Sequence, residues 1–271
     1  MFQHIIVPID ESLAAWRVVP IAARMAAAVD GKLDLVTVVR DVDDVAWAGA
    51  ALRDGVERAG DLEVDPHVEV LAHDSIVEAL AAHVESRNGS IVVMSSHGHG
   101  RSASVLGSVA NDVLRTLHGP VVVVGPHVRP EAGRLDGRYL VPLDGSDHAE
   151  TILPIAAAWA VEFDAEPWVV EVVAPGVKTP ADTTDSGYVA RHARDLHQRI
   201  GREVEFDVLH HDDPAKAITD AAEYYGVSLV FATTHGRTGL ARFRAGSVTA
   251  DVVRRARCPV VLYRPPRLAL D

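Results

Sequence analysis

The stretch His4-Ile-Ile-Val-Pro-Ile-Asp10 near the start of the chain returns as Tyr139-Leu-Val-Pro-Leu-Asp144 at its middle. Both copies are a short apolar run that contains a proline and closes with an aspartate. The prolines and the aspartates of the two copies are separated by the same number of residues, and so are Pro20 and Pro154 further along. Agreement at one spacing indicates that a whole structural unit has been duplicated.

The repeat continues to the far end of each copy. The matching segments there are Gly107-Ser-Val109 with Gly246-Ser-Val248, and Pro120-Val-Val-Val123 with Pro259-Val-Val-Leu262. We therefore predict two domains, residues 1–128 and 137–266. Residues 125–137 between the repeats are rich in proline and glycine and have no periodicity, which is typical of a linker.

Each copy alternates short apolar runs with segments whose apolar residues recur at three- and four-residue intervals. The predicted strands are 5–9, 33–39, 67–71, 91–95 and 121–124, then 139–143, 168–173, 204–209, 229–232 and 260–263; the predicted first-half helices are 12–29, 44–60, 76–87 and 108–117. Strands separated by helices predict an α/β fold of two tandem, doubly wound, Rossmann-like domains, each with a five-stranded parallel sheet. Such sheets bind ligands beyond the carboxyl ends of their strands, at the switch point of the topology.

The charge balance of the chain argues against nucleic acid as a partner. The 271 residues carry 38 acidic and 26 basic side chains, for a formal net charge of −12, with no long basic run. A nucleic-acid surface needs a basic stripe to neutralise phosphates. Apolar residues make up 48% and charged residues 24%, the balance of a soluble globular protein.

The single cysteine, Cys258, excludes an intramolecular disulfide and favours a reducing compartment. It precedes Pro259 and an apolar run, so we expect it to be buried at the start of a strand. No apolar stretch approaches the roughly 18–20 residues of a membrane helix, and the amino terminus has no signal-peptide pattern. We therefore predict a cytoplasmic protein without a membrane partner.

The segments that follow the fourth predicted strand of each half are rich in glycine. Residues 233–248 pass through glycines and enter a predicted helix at Gly246-Ser247, and residues 95–109 enter one at Gly107-Ser108. Glycine lets the backbone approach an anion closely, and a helix start offers unpaired N–H groups at the positive end of its dipole. Both segments are therefore candidate phosphate-binding loops.

With these motifs, the chain resembles the universal stress protein family over nearly its whole length. The family signature Gly-x2-Gly-x9-Gly-Ser/Thr follows strand 4, Pro-x-Asp ends strand 1 and Pro-Val-Val marks strand 5, and both halves are similar to this pattern. The first glycine of the signature is replaced by Ser95 in the first half and by Thr233 in the second. The first half is also one residue short, because eight residues separate Gly98 from Gly107.

The resemblance implies ATP as the ligand, together with Mg²⁺ where ATP carries it. In ATP-binding members, the strand-1 aspartate lies near adenine or ribose, the end of the second strand contacts adenine, and the glycine loop holds the phosphates. The implied first-half residues are Asp10, Val38, Met94, Ser95, Gly98, Gly107, Ser108 and Val109. The implied second-half residues are Asp144, Val172, Ala232, Thr233, Gly236, Gly246, Ser247 and Val248.

Several of these residues also have a purely structural interpretation. Asp10 and Asp144 could brace the start of the following helix, and the glycines could serve only tight turns. His97 and His235 either face the ligand or support the loop through a hydrogen bond. These alternatives remain open at the level of the sequence.

Motifs for metal binding and catalysis are missing from the sequence. The pair His97 and His99 and the patch His210-His211-Asp212-Asp213 lack the three or four ligands of a recognised metal site. There is no Gly-x-Ser-x-Gly elbow and no Walker motif, and neither glycine loop contains a lysine. We therefore predict that the protein is not an enzyme and has no dedicated metal, although slow hydrolysis of bound ATP is compatible with the sequence.

Three hypotheses follow for the function. The first is a tandem universal stress protein that binds adenine nucleotide and acts as a regulatory or signalling module with an unidentified protein partner. The rival is an interaction protein of the same fold that has lost nucleotide binding, and the third is a weak ATPase. Since fifth strands of this family often pair across a dimer axis, the resemblance also implies an intramolecular pseudo-dimer and leaves room for a homodimer.

Overall fold

The computed structural model describes residues 2–10, 12–97, 106–176, 187–234 and 247–265. The first half contains β1 (His4–Pro8), α1 (Leu13–Trp16), α2 (Val19–Ala28), β2 (Lys32–Val39), a 3-10 turn (Val42–Asp44), α3 (Val45–Ala59), β3 (Pro66–Ala72), α4 (Ile76–Glu85), β4 (Ser90–Ser95), α5 (Ser108–Thr116) and β5 (Val121–Val124). The second half contains β6 (Arg138–Leu143), α6 (Asp147–Glu150), α7 (Leu153–Glu162), β7 (Glu166–Val173), α8 (Tyr188–Ile200), β8 (Glu205–His210), α9 (Pro214–Tyr224), β9 (Leu229–Thr233), α10 (Ser247–Arg255) and β10 (Val260–Tyr263).

These strands form one ten-stranded sheet in the order β3-β2-β1-β4-β5-β10-β9-β6-β7-β8. Strands within each half run parallel, and the halves join where β5 pairs antiparallel with β10, with Val122 opposite Val261. In each half, the topology reverses between the first and the fourth strand. The predicted tandem, doubly wound α/β fold is confirmed, and the fifth strands pair within the chain as the family resemblance implies.

Side chains along the strands alternate between two apolar layers, one on each face of the sheet. Ile5 and Val7 of β1 pack in the layer of α2, α3, α7 and α8, whereas Ile6 packs in the layer of α4, α5, α9 and α10. Because helices cover both faces, even the four consecutive valines of β5 are buried. Cys258 is buried just before β10, as predicted, and burial raises the pKa of its thiol to about 12.

The predicted helix over residues 12–29 is wrong in one respect, because the structure contains two helices there. α1 ends at Trp16 and α2 begins at Val19. Pro20 has no amide hydrogen to donate to the carbonyl of Trp16, so a continuous helix would leave that carbonyl without its partner. The second half breaks in the same way between α6 and α7, where Pro154 follows. The other predicted elements are confirmed to within two residues at each end.

The segment 125–137 is irregular, as predicted, but it packs into the molecule. Val128 and Leu135 are buried, and the Arg24 guanidinium donates a hydrogen bond to the carbonyl of Pro130 at 3.1 Å. Gly125 lies so close to α10 that an added Cβ would stand 2.0 Å from the carbonyl oxygen of Val253. This segment therefore fixes one half against the other.

Among the helices of the described ranges, none combines the length and the apolar character that crossing a bilayer requires.

Candidate functional site

The aspartate after the first strand has the same hydrogen bonds in both halves. The backbone N–H of Ser12 donates to Asp10 Oδ1 at 3.0 Å, the Ser12 hydroxyl donates to the same oxygen, and the Ser12 hydroxyl oxygen accepts from the N–H of Ala15 at 3.2 Å. Ser146 contacts Asp144 in the same way, at 3.1 Å from its N–H and 2.6 Å from its hydroxyl. Both aspartates therefore brace a helix start, the structural role that the sequence left open, at the carboxyl end of the first strand.

A cavity of about 1200 Å³ lies at the carboxyl ends of β1, β2 and β4 in the first half. This is the switch point at which doubly wound sheets bind ligands. The cavity wall unites these residues implied by the family motifs: Asp10, Val38, Met94, Ser95, Gly107, Ser108 and Val109. Gly98, the remaining first-half candidate, lies outside the described residues. Segments that are far apart in sequence thus meet around one space.

Two tryptophans that the sequence analysis did not single out also line this cavity. Trp16 of α1 is seated in a notch at Gly55 of α3, where an added Cβ would stand 2.0 Å from its ring. Trp47 of α3 is 63% exposed. The available sequence signal was a tryptophan in the first turn of the predicted helix 44–60, because a helix that follows a strand begins near the carboxyl edge of the sheet.

The start of α5 forms the polar end of the cavity. Its N-terminal residue Ser108 follows Gly107, whose backbone N–H donates to the carbonyl of Ser96 at 2.8 Å. The Asn111 side-chain amide donates to the carbonyl of Leu106 at 2.6 Å and so holds the approach to the helix. The first N–H groups of a helix have no acceptor within it, so this end of the cavity suits an anion.

The side chain that replaces the first glycine of the first-half loop is turned onto its own backbone. The Ser95 hydroxyl donates to the carbonyl of His97 at 2.9 Å. His97 Nδ1 lies 2.8 Å from Ser96 Oγ, and His97 Nε2 is buried and has no hydrogen-bond partner among the residues that the structure describes. His97 thus supports the loop, which is one of its two predicted roles; His99 and His235 lie outside the described residues.

The second half is described in less detail at the corresponding edge. Gly236 and Gly246 lie outside the described residues, and of Ser247 only its place at the start of α10 is described. Thr233 and Ala232 are buried at the end of β9, and the carbonyl of Thr233 accepts a hydrogen bond from the Thr249 hydroxyl at 3.0 Å. Val172 is partly buried near the end of β7, and Val248 is 39% exposed.

A hydrogen-bonded group of polar side chains lies near this edge of the second half. The Tyr188 hydroxyl donates to Glu150 Oε1 at 3.1 Å, and His192 Nε2 lies 3.1 Å from the same oxygen. Burial raises the pKa of Tyr188, and the negative charge of Glu150 raises it further. Glu150, Tyr188 and His192, here called the Glu150 network, were not singled out in the sequence.

The histidine-rich patch before α9 has structural contacts. Asp213 accepts from the N–H of Lys216 at 3.0 Å as the helix cap and pairs with Arg255 at 2.7 Å, which together lower the pKa of its carboxyl. His211 Nδ1 accepts from the N–H of Asp213 at 2.8 Å. Within the described part of the chain, no three His, Cys, Asp or Glu side chains are grouped so that they could hold a metal ion.

Two doubly wound domains that share one sheet, with a ligand-sized cavity at a switch point, define a tandem Rossmann-like α/β protein. The chain belongs to the universal stress protein family, since the model of that family matches residues 1–125 and 137–264. The resemblance noted in the sequence is thereby confirmed for both halves.

Similar proteins match either nearly the whole chain or about half of it. A universal stress protein of Mycobacterium tuberculosis is 29% identical over 294 residues, which cover 96% of each chain. A universal stress protein of Methanocaldococcus jannaschii is 30% identical over 142 residues, or 48% of this chain and 83% of that relative. The crystal structure of a universal stress protein from Archaeoglobus fulgidus superimposes with a TM-score of 0.67 at 23% identity, covering 97% of this chain and 98% of that one; it shows the common fold.

Proposed function

We propose that this protein is a regulatory module of the stress response that binds an adenine nucleotide in the first-half cavity. The observation that carries the proposal is the convergence of β1, β2, β4 and the start of α5 on one space at the switch point. Nucleotide occupancy would then bias the choice of a protein partner through contacts that differ between the bound and the free state.

The cavity lining contains the kinds of groups that an adenine nucleotide requires. Val38 and Met94 offer an apolar surface for the base. Asp10 follows β1, which lies between β2 and β4 in the sheet, and its carboxylate lines the cavity, where it can accept hydrogen bonds from ribose hydroxyls. Ser108 and Val109 at the start of α5 offer N–H groups to phosphates. Mg²⁺ would enter the cavity bound to the phosphates of ATP, so its presence requires no metal ligands from the protein.

The replacement of the first glycine by Ser95 motivated the rival hypothesis of an interaction protein without a nucleotide. The hydrogen bond from the Ser95 hydroxyl to the carbonyl of His97 turns that side chain into the loop. A serine there is therefore compatible with a ligand, which favours the nucleotide-binding hypothesis.

We also propose that the protein does not transfer phosphoryl groups rapidly. Such transfer needs groups that stabilise the charge on the terminal phosphates and orient the nucleophile. The loop over residues 95–109 has no lysine, and the carboxylate of Asp10 is already engaged with Ser12. Turnover of bound ATP above a buffer control would contradict this part of the proposal.

The first experiment is mass spectrometry of small molecules released from the purified, denatured protein, followed by calorimetric titration with ATP, ADP and AMP. Released nucleotide or a micromolar dissociation constant supports the proposal. Asp10→Asn keeps an oxygen to accept from Ser12 but removes the charge. It should weaken binding roughly tenfold or more, since hydrogen bonds to charged groups contribute about 1.5–3 kcal/mol.

The matched control is Asp144→Asn, which makes the same change at the equivalent brace of the second half. A protein that is purified empty and ignores millimolar ATP would contradict the nucleotide proposal and leave the interaction protein as the better hypothesis.

A further inference from the structure

The two halves can be compared position by position at the edge where the first-half cavity lies. β2 pairs with β1 from Lys32 opposite His4, and β7 pairs with β6 from Glu166 opposite Arg138, in the same register. The constant spacing of the repeat therefore equates Trp16 with Glu150, and Thr37 with Glu171.

The third helix of each half can be aligned from its end. α3 and α8 both finish at a glycine with positive φ, 77° at Gly60 and 71° at Gly201. Counting back from these glycines equates Trp47 with Tyr188, and Ala51 with His192. In the first half Trp16, Thr37, Trp47 and Ala51 all line the cavity. The Glu150 network thus occupies positions that bound the ligand space in the other half.

The network fills these positions with larger or more polar groups. The small side chain of Ala51 leaves room in the first half, whereas the imidazole of His192 is only 8% exposed in the second. One carboxylate oxygen of Glu150 is 3.1 Å from both Tyr188 Oη and His192 Nε2, and the two rings meet edge to face at 4.6 Å. Displacing Glu150 for a ligand would leave the buried imidazole of His192 without this partner.

The charges at these positions also differ between the halves. Asp144, Glu150 and Glu171 all act on Tyr188, and their negative charges raise its pKa further than burial does by itself. The equivalent first-half positions contribute a single carboxylate, that of Asp10. A cation is present as well, because the Arg191 guanidinium lies 5.6 Å from the centroid of the Tyr188 ring. Among the described residues around Tyr188, three carboxylates beside this one cation disfavour an anionic nucleotide.

We infer that the chain binds one nucleotide, in the first half, and that the Glu150 network takes the place of the ligand in the second half. This inference rests on the proposed function. The second half is then held together by its own side chains, whereas the first half gains its corresponding contacts only when the nucleotide is bound.

Calorimetric stoichiometry tests the inference on the full chain with ATP. The expected result is one ATP per chain, a loss of binding of roughly tenfold or more in Asp10→Asn, and little change in Asp144→Asn. Two ATP per chain, or binding that is lost in Asp144→Asn and kept in Asp10→Asn, would overturn it. No binding at all would instead overturn the proposed function, so the two failures are distinguishable.

A graft tests whether the network is what excludes the nucleotide. The variant Glu150→Trp/Tyr188→Trp/His192→Ala copies the first-half residues and should bind a second ATP. His192→Ala by itself provides a milder version if the triple variant does not fold. A folded variant that still binds one ATP would contradict the role of the network.

Hydrogen exchange of the unaltered protein, with and without ATP, supplies a readout that needs no variant. Protection should rise in the segments that line the first-half cavity and stay the same in α6 and α8. Equal new protection in α6 and α8 would overturn the inference.

Discussion

The two halves of this molecule keep the same framework and differ at positions along the sheet edge where the first-half cavity lies. The Asp-x-Ser brace, the helix break before a proline and the strand order recur in both. By contrast, an aromatic and apolar wall around Trp16 in one half is replaced by the Glu150 network in the other. The hydrogen bonds that brace the first helix have thus been retained, whereas the side chains at the cavity positions have not.

The largest effect on stability is expected from Gly55→Ala, which disturbs Trp16, a cavity residue whose second-half equivalent is Glu150. The added methyl group would collide with the Trp16 ring, 2.0 Å away, and overpacking of this kind costs about 1–3 kcal/mol. Chemical denaturation should show the loss, and ATP titration should show weaker binding because Trp16 is displaced.

Gly49→Ala is the matched control in the same helix. Its added Cβ would lie no closer than 3.5 Å to the Arg53 side chain, and alanine in a helix is favoured over glycine by about 1 kcal/mol. This variant should be at least as stable as the parent and bind ATP equally well. If Gly55→Ala and Gly49→Ala have the same stability and the same ATP affinity, the packing of Trp16 against Gly55 does not contribute to the difference between the halves.

A smaller and equal effect is expected from Ser12→Ala and Ser146→Ala. Each removes a helix cap and the hydroxyl partner of the preceding aspartate, and such caps contribute about 1 kcal/mol. Denaturant midpoints measured for the two variants should fall by similar amounts. If one midpoint fell much further than the other, the Asp-x-Ser hydrogen bonds would not contribute equally to the stability of the two halves.

The smallest expected effect is a loss of stability at acidic pH that arises from His83 in the first half. His83 in α4 is 5% exposed, and burial, followed by the charge of Arg87, lowers its pKa below 6.5. The unfolded chain therefore binds a proton that the folded chain resists, so stability is retained above pH 6.5 and falls as pH drops below it.

The matched substitution is His83→Ala, since alignment at the helix caps Ser75 and Asp213 equates His83 with Ala221. Denaturation midpoints at pH 7 and pH 5 should differ less in this variant than in the parent protein. An unchanged difference would show that other groups control the response to acid.

The sequence predicted the framework well because its signals are local and repeated. Apolar runs ending in Pro-x-Asp located the first strands, and the same spacing in both halves confirmed them. The helix break was also readable, since Pro20 stands inside the predicted helix, but the apolar period continued through it. Seven of the eight first-half candidates line one cavity because the motifs mark strand ends that converge at one edge.

The contents of that edge were less predictable. Trp16, Glu150 and His192 lie outside the family motifs, and their importance depends on which side chains the fold brings together. The glycine spacing is more complete in the second half, yet the polar group described there comes from α6 and α8. A sequence motif indicates the backbone conformation of a site. Side chains from other segments of the chain determine how much space is left there for a ligand.

The antiparallel pairing of β5 with β10 allows the two copies to differ independently at their cavity edges. Because the strands of one half point opposite to those of the other, their carboxyl ends lie at opposite margins of the ten-stranded sheet. The two margins are separated by the width of the sheet, so a substitution at one of them causes no steric conflict at the other. Side chains at one margin can therefore differ from those at the other, while the paired central strands hold both copies in one sheet.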